Sequence, residues 1–143
     1  MRLYTIGFMK KSARIFFEIL RKNHVKRILD IRLRNTSQLS GFAKREDLRY
    51  FLDKIGNIGY VYLTQGAPTK DLLEASRKGL INWEGYQKRY IALLKERNIL
   101  RNIDKSILKD ACLLCSEPTP EKCHRRLLAE YLAHNNKITI IHL

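Results

Sequence analysis

The sequence predicts one α/β domain of three layers (α/β/α), with helices on both faces of a mostly parallel, Rossmann-like sheet. Three observations lead there. Strand-like and helix-like stretches alternate along the whole chain, the order that crossover units produce. Ala111-Cys112-Leu113-Leu114-Cys115 is apolar throughout, as strands at the centre of parallel sheets are. The 143 residues are enough to bury one core, and no repeat or low-complexity linker divides them, so 1–143 reads as a single domain.

Taken in order, Leu3-Tyr4-Thr5-Ile6 is the first strand, stopped by Gly7. Ser12 caps a helix whose apolar positions are Ile15, Phe16, Ile19 and Leu20, ended by Asn23-His24. Arg27 to Arg32 is a second strand, followed by a polar loop from Leu33 to Phe42. Lys44 to Ile55 returns to helical spacing through Leu48, Phe51, Leu52 and Ile55, with Gly56 as its stop. Gly59 to Leu63 is a third strand and Gln65 to Lys70 a second loop. Asp71 to Lys78 forms a short helix closed by Gly79, and Asn82 caps a longer one through Tyr86, Tyr90, Ile91, Leu94 and Ile99. The apolar run at 111–115 is the fourth strand. Thr119 as cap and Pro120 at the first position start a last helix that buries Leu127, Leu128, Tyr131 and Leu132, and Ile138 to His142 is the final strand.

Charge is the strongest compositional signal. Lys and Arg number 28 against 14 acidic residues, a net charge of +14. Residues 1–60 hold 14 basic and 5 acidic residues, a net of +9, so the excess lies mainly in the first part of the chain. Such a charge attracts polyanions, and the alternative is a merely solvated surface. No apolar run approaches the roughly 20 residues that cross a bilayer, so no membrane partner is expected. Met1-Arg2-Leu3-Tyr4 leads straight into strand-like sequence, which makes a cytoplasmic location the default. Three cysteines cannot all pair, and reduced thiols fit a reducing compartment.

Reactive residue types concentrate between the fourth strand and the last helix, where open α/β sheets bind ligands. Cys115 and Glu117 are two apart and share a face if that segment is extended. Cys115 is a candidate nucleophile or metal ligand, against the plain alternative of a small buried hydrophobe. Cys123, His124 and Arg125 fall in the first turns of the expected helix, where partial positive charge favours thiolates and anions. Yet Cys123 and His124 precede Leu127 and Leu128 by four residues, so packing against the sheet is the competing reading. Zinc is disfavoured, because Cys112 and Cys115 fall on opposite faces of a strand and Leu113-Leu114 is a poor knuckle; no metal and no cofactor is expected. Asp30 and Arg32 form either a structural ion pair or part of the same crevice as Cys115. Gly7 can admit a ligand to the backbone. Tyr60, Tyr62 and Trp83, near Arg77 and Arg89, are either core residues or base-stacking ones. Walker A, Gly-x-Gly-x-x-Gly, Gly-x-Ser-x-Gly and His-Glu-x-x-His patterns do not occur.

Tyr4-Thr5-Ile6-Gly7, Asp30-Ile31-Arg32, and Leu113-Leu114-Cys115-Ser116-Glu117 followed by Cys123-His124-Arg125 together resemble the domain of unknown function 488 family. The last motif is the specific one. The resemblance implies a small prokaryotic α/β protein and shared chemistry at Asp30, Arg32, Cys115, Glu117, Cys123, His124 and Arg125, with no settled activity. The chain departs from the family pattern in two places: Arg34-Asn35-Thr36-Ser37-Gln38 lacks the usual proline and Ser-Arg pair, and Leu63-Thr64-Gln65-Gly66 lacks the Leu-Gly-Gly step.

Three functions follow as expectations. In the first, an enzyme acts on a phosphorylated or nucleotide-like ligand at the strand ends. Arg32, Arg125 and the helix N-terminus hold the anion near Gly7, Asp30 or Glu117 is the acid or base, and Cys115 or Cys123 is the nucleophile beside His124. In the second, the basic residues of positions 10–54 form a face that binds nucleic acid without catalysis. In the third, the cluster only stabilises its loop or a partner surface.

Overall fold

Local chemistry sets most of the element boundaries. In the computed structural model, which describes residues 1–143, β1 spans Arg2–Gly7 and α1 spans Ala13–Lys22. The Ser12 hydroxyl accepts from the Ile15 amide at 3.2 Å and so satisfies one orphan donor of α1. β2 covers Arg27–Asp30, α2 Arg45–Gly56 and β3 Gly59–Tyr62. α2 closes on Asn57, not on a glycine; the asparagine takes the left-handed conformation at φ 50°. α3 (Lys70–Arg77) is capped by Thr69 and followed by Gly79 at φ +68°. α4 (Trp83–Glu96) is capped by Asn82, whose Oδ1 accepts from the Gly85 amide at 2.8 Å. Left-handed Asn98 then breaks the chain direction, so Ile99 opens a separate α5 (Ile99–Asn102) instead of prolonging α4. β4 (Ala111–Cys115), α6 (His124–Ala133) and β5 (Thr139–His142) complete the domain.

The five strands are all parallel and ordered β3-β2-β4-β1-β5. β4 is the middle strand and every residue in it is buried, as its apolar sequence requires. Side chains alternate across it. Cys112 and Leu114 face α1 and α2 in a core with Phe16, Phe17, Leu20, Leu48 and Leu52. Ala111 and Leu113 face the other way, into a core with Tyr90, Leu94, Leu127 and Leu128 from α4 and α6. The sheet is thus covered on both sides, and the architecture is the three-layer α/β/α, Rossmann-like arrangement the sequence predicts. No helix is long and apolar enough to cross a membrane.

The start of the last helix and the inward face of the first also differ from expectation. The last helix starts at His124 with Cys123 at its cap, not at Thr119-Pro120. Burial accounts for this: Cys123 and Arg125 pack into the strand ends at 2% and 0% exposure, and that anchorage sets where the helix can begin. In α1 the inward residues are Phe16, Phe17 and Leu20, while Ile15 is 51% exposed. The pair Phe16–Phe17 is locked by an edge contact at 5.2 Å, and that aromatic wedge sets the rotation of the helix.

Candidate active site at the strand ends

The carboxyl end of β4 delivers Cys115 to a cavity of about 400 Å³. Sheet register places Cys115 beside Gly7 of β1, and the segment 116–123 leaves the sheet as neither helix nor strand before α6. Cys115, Glu117, Cys123 and His124 all contribute to the cavity wall. So do the cations Arg32, Arg34, Arg77 and Lys122, set against the single carboxylate of Glu117. Trp83 and Tyr86, stacked on each other at 5.4 Å, supply an apolar side.

Arg32 is anchored from behind. Its Nε donates to Asp30 Oδ1 and its Nη2 to Asp30 Oδ2, each at 2.8 Å. Asp30 also accepts from the Tyr60 hydroxyl at 2.6 Å and from Asn35 at 3.2 Å. Four side-chain donors from three residues, with the Arg32 amide at 3.2 Å as a fifth donor, therefore fix one carboxylate, and the carboxylate fixes the guanidinium. The third nitrogen, Nη1, is buried without a partner. Asp30 itself does not line the cavity. It follows Ile28 in the alternation of β2 and so belongs to the α1–α2 side of the sheet, opposite Cys115. The sequence left open a shared crevice for Asp30 and Cys115; the strand period separates them and makes Arg32 the link.

Arg125 is wholly buried beneath the site and does not line it. Its Nη1 donates to Cys115 Sγ at 2.9 Å and to the Glu117 carbonyl, and lies 3.9 Å from Cys123 Sγ. Its Nε donates to Thr5 Oγ1 at 3.2 Å, and that hydroxyl also shares a hydrogen bond with His142 Nδ1 at 2.7 Å. Gly7 makes room for this arrangement. A Cβ there would collide with the Glu117 carbonyl and sit 2.7 Å from Arg125 Nη1. The space beside Gly7 is thus filled by the protein's own loop.

Electrostatics separate the two thiols. Burial pushes the Cys115 thiol up, but the hydrogen bond from Cys123 and the Arg125 guanidinium outweigh it and bring Cys115 below the ordinary thiol value. Cys123 moves strongly the other way, through its hydrogen bond to Cys115 and then burial. Of the two thiols, Cys115 is therefore the one that gives up its proton first. His124 is pushed down to about 4, chiefly by burial, and is neutral at pH 7. Its Nε2 lies 2.9 Å from the Ile31 carbonyl, which only accepts, so Nε2 carries the proton. Nδ1 is left with a lone pair 4.0 Å from Cys123 Sγ. Cys112 is buried on the opposite face, and burial raises its thiol.

Two wall residues were not legible as site residues: Lys122 is an ordinary surface lysine in sequence, and Tyr86 reads as core. Arg77, named from sequence only beside the base-stacking aromatics, ends α3, and the tertiary fold brings it to the β4 loop. Trp83 does line the cavity, whereas the other two aromatic candidates are occupied elsewhere: Tyr60 on Asp30 and Tyr62 on the Leu33 carbonyl.

Parallel α/β sheet, crossover helices on both faces and a cationic cavity at the carboxyl strand ends define the class of this protein as a doubly covered α/β domain with a ligand-sized site. Residues 12–132 match the model of the family described as Domain of unknown function DUF488, and the chain belongs to that family. Comparison with curated proteins and with solved structures returned no match.

Proposed function

We propose that this domain is an enzyme acting on a phosphorylated or nucleotide-like ligand bound at the ends of β2 and β4. The observation that carries this reading is the unpartnered Nη1 of Arg32, buried in a wall that also bears three further cations. A buried guanidinium nitrogen without an acceptor is costly, and an anionic oxygen relieves it. Arg34, Arg77 and Lys122 add to the field, and Trp83 with Tyr86 offers an apolar side for a base or sugar. Asp30 acts as a positioning residue that presents Arg32. Gly7 admits the Glu117 carbonyl, and Arg125 serves the anion bound within the protein itself, the Cys115 thiolate.

Cys115 is the nucleophile in this reading. Its sulfur forms a bond to the electrophilic atom of the ligand as the bond to the leaving group breaks. Glu117 gives the leaving group its proton, then takes one from the water that cleaves the thio-linked intermediate. Cys123 and His124 hold the adjoining proton.

The test is a calorimetric titration with inorganic phosphate, pyrophosphate and nucleoside monophosphates. Binding should weaken roughly tenfold in Arg77→Ala and in Arg34→Ala, since one charged contact is worth about 1.4 kcal/mol or more. Saturable binding that ignores both substitutions, or none of it up to millimolar ligand, overturns the reading.

One observation favours the alternative of nucleic-acid binding. Along α2 and β3, Arg45 lies over Tyr62 at 5.7 Å, Arg49 over Tyr60 at 5.8 Å and Lys54 over Tyr50 at 5.9 Å. Such an edge suits single strands. Affinity for an oligonucleotide that falls steeply with salt and is lost in Arg45→Ala/Arg49→Ala, but not in Arg77→Ala, would transfer the function to that edge.

A further inference from the structure

We propose that Cys115 and Cys123 form a reversible oxidation site, in which a hydroperoxide oxidises Cys115 and Cys123 then closes a disulfide onto it. The inference is independent of the ligand proposed for the cavity. It starts from a shared nitrogen: Arg125 Nη1 is 2.9 Å from one sulfur and 3.9 Å from the other. Both thiols are free and both line the same cavity, which is wide enough for a small peroxide.

Each partner has the surroundings its step requires. Cys115 is held as the more acidic thiol by the guanidinium and by the Cys123 proton. Cys123 faces His124 Nδ1, whose lone pair is fixed in place because Nε2–H is committed to the Ile31 carbonyl. The Cys115 thiolate attacks the terminal oxygen of the hydroperoxide. A sulfur–oxygen bond forms, the oxygen–oxygen bond breaks, and the departing alkoxide or hydroxide takes up a proton. Cys123 then gives its proton to His124 Nδ1 and attacks the sulfenic sulfur. The disulfide forms, the sulfur–oxygen bond breaks, and the expelled hydroxide recovers that proton as water. Two thiols lose two electrons and the hydroperoxide gains them.

Closing a bond of about 2.05 Å asks the sulfurs to approach further. Segment 116–123 is neither helix nor strand, so that approach breaks no helix or strand hydrogen bond within it. Cys112 cannot substitute, because it points to the other face of the sheet.

The chain offers a clean assay. Trypsin cuts after Lys109, Lys122 and Arg125, so Cys115 and Cys123 fall on separate peptides, 110–122 and 123–125. The reduced full-length protein is treated with hydrogen peroxide, blocked with N-ethylmaleimide and digested. The expected result is a linked pair of these peptides, lost on treatment with dithiothreitol, with fragmentation placing the bond at Cys115. Cys112→Ser should keep the link and Cys115→Ser should lose it. In Cys123→Ser, dimedone should trap Cys115 as sulfenic acid in place of the link. Free, maleimide-blocked thiols after peroxide, or a link through Cys112 or between two molecules, would overturn the proposal. The wild-type peptide map decides the matter even where a variant fails to fold. No ligand takes part, so its failure leaves the proposed function standing, and the converse.

Discussion

Arg125 and Cys115 meet 2.9 Å apart at the end of the central strand, and neither is more than 1% exposed. A guanidinium has no reason to enter a protein interior alone. Here its Nε and Nη1 are satisfied by a threonine hydroxyl, a sulfur and a backbone carbonyl, which join the ends of β1 and β4 to α6, while Nη2 is buried without a partner.

Arg125→Met removes that junction. The Cys115 thiol should then titrate at or above the ordinary value near 8.5, because burial is no longer opposed by the cation. Stability should fall by about 2–4 kcal/mol, since the Glu117 carbonyl loses its buried donor. Alkylation rate against pH and urea unfolding check the two effects separately. A midpoint unchanged from wild type would show that Cys123 alone stabilises the thiolate.

Gly7→Ala tests the close approach of the loop. The added methyl cannot coexist with the Glu117 carbonyl, so segment 116–123 must move. A cost of about 2–4 kcal/mol in denaturant unfolding is expected, together with faster alkylation of Cys115 as its cover is displaced. A fully stable Gly7→Ala variant would mean the loop has a second seat.

Asp30→Asn breaks the fork on Arg32. The guanidinium is 3% exposed, and loss of its counter-charge should cost about 3–5 kcal/mol. The double change Asp30→Asn/Arg32→Met should recover part of that, which thermal or chemical denaturation can measure. Phosphate binding should be absent from the double variant even where folding is restored.

Stability should also depend on acidity through His124. Folded, the ring titrates at about 4; unfolded, near the usual 6.5. The unfolded chain binds the proton first as pH falls, so stability is complete above 6.5 and declines between 6.5 and 4 by at most about 1.4 kcal/mol per pH unit. Urea unfolding at several pH values reports the slope, and His124→Asn should flatten that window. An equal slope in the variant would assign the effect to other groups.

The sheet was legible because its signals are local. Ala111–Cys115 is apolar at every position, and Ser12, Thr69 and Asn82 each cap the helix that follows. The start of α6 was not, because Thr119-Pro120 is a good local start that loses to the burial of Cys123 and Arg125. Within the site, the Cys115, Glu117, Cys123 and His124 grouping follows from one short stretch of sequence and is gathered at one cavity. Arg125 was misplaced: adjacency suggested it faced a ligand, whereas the first turn of α6 aims it inward. Arg77 and Lys122 join the wall only through long-range packing, for which the sequence carries no periodic signal.

The strand order has a consequence for biosynthesis. β1 and β2 never touch; β4 lies between them and pairs with both. A nascent chain that has not yet delivered residues 111–115 holds β1 apart from the β2–β3 pair, each with bare hydrogen-bonding edges. The sheet therefore cannot be completed in the order of synthesis. Its middle strand is inserted late, and a ribosome-stalled chain ending before Ala111 should be cut readily by protease where the released chain resists. Premature termination between β3 and β4 would thus leave not a trimmed version of the protein but an unpaired β1 and a bare-edged β2–β3 pair for quality control to clear.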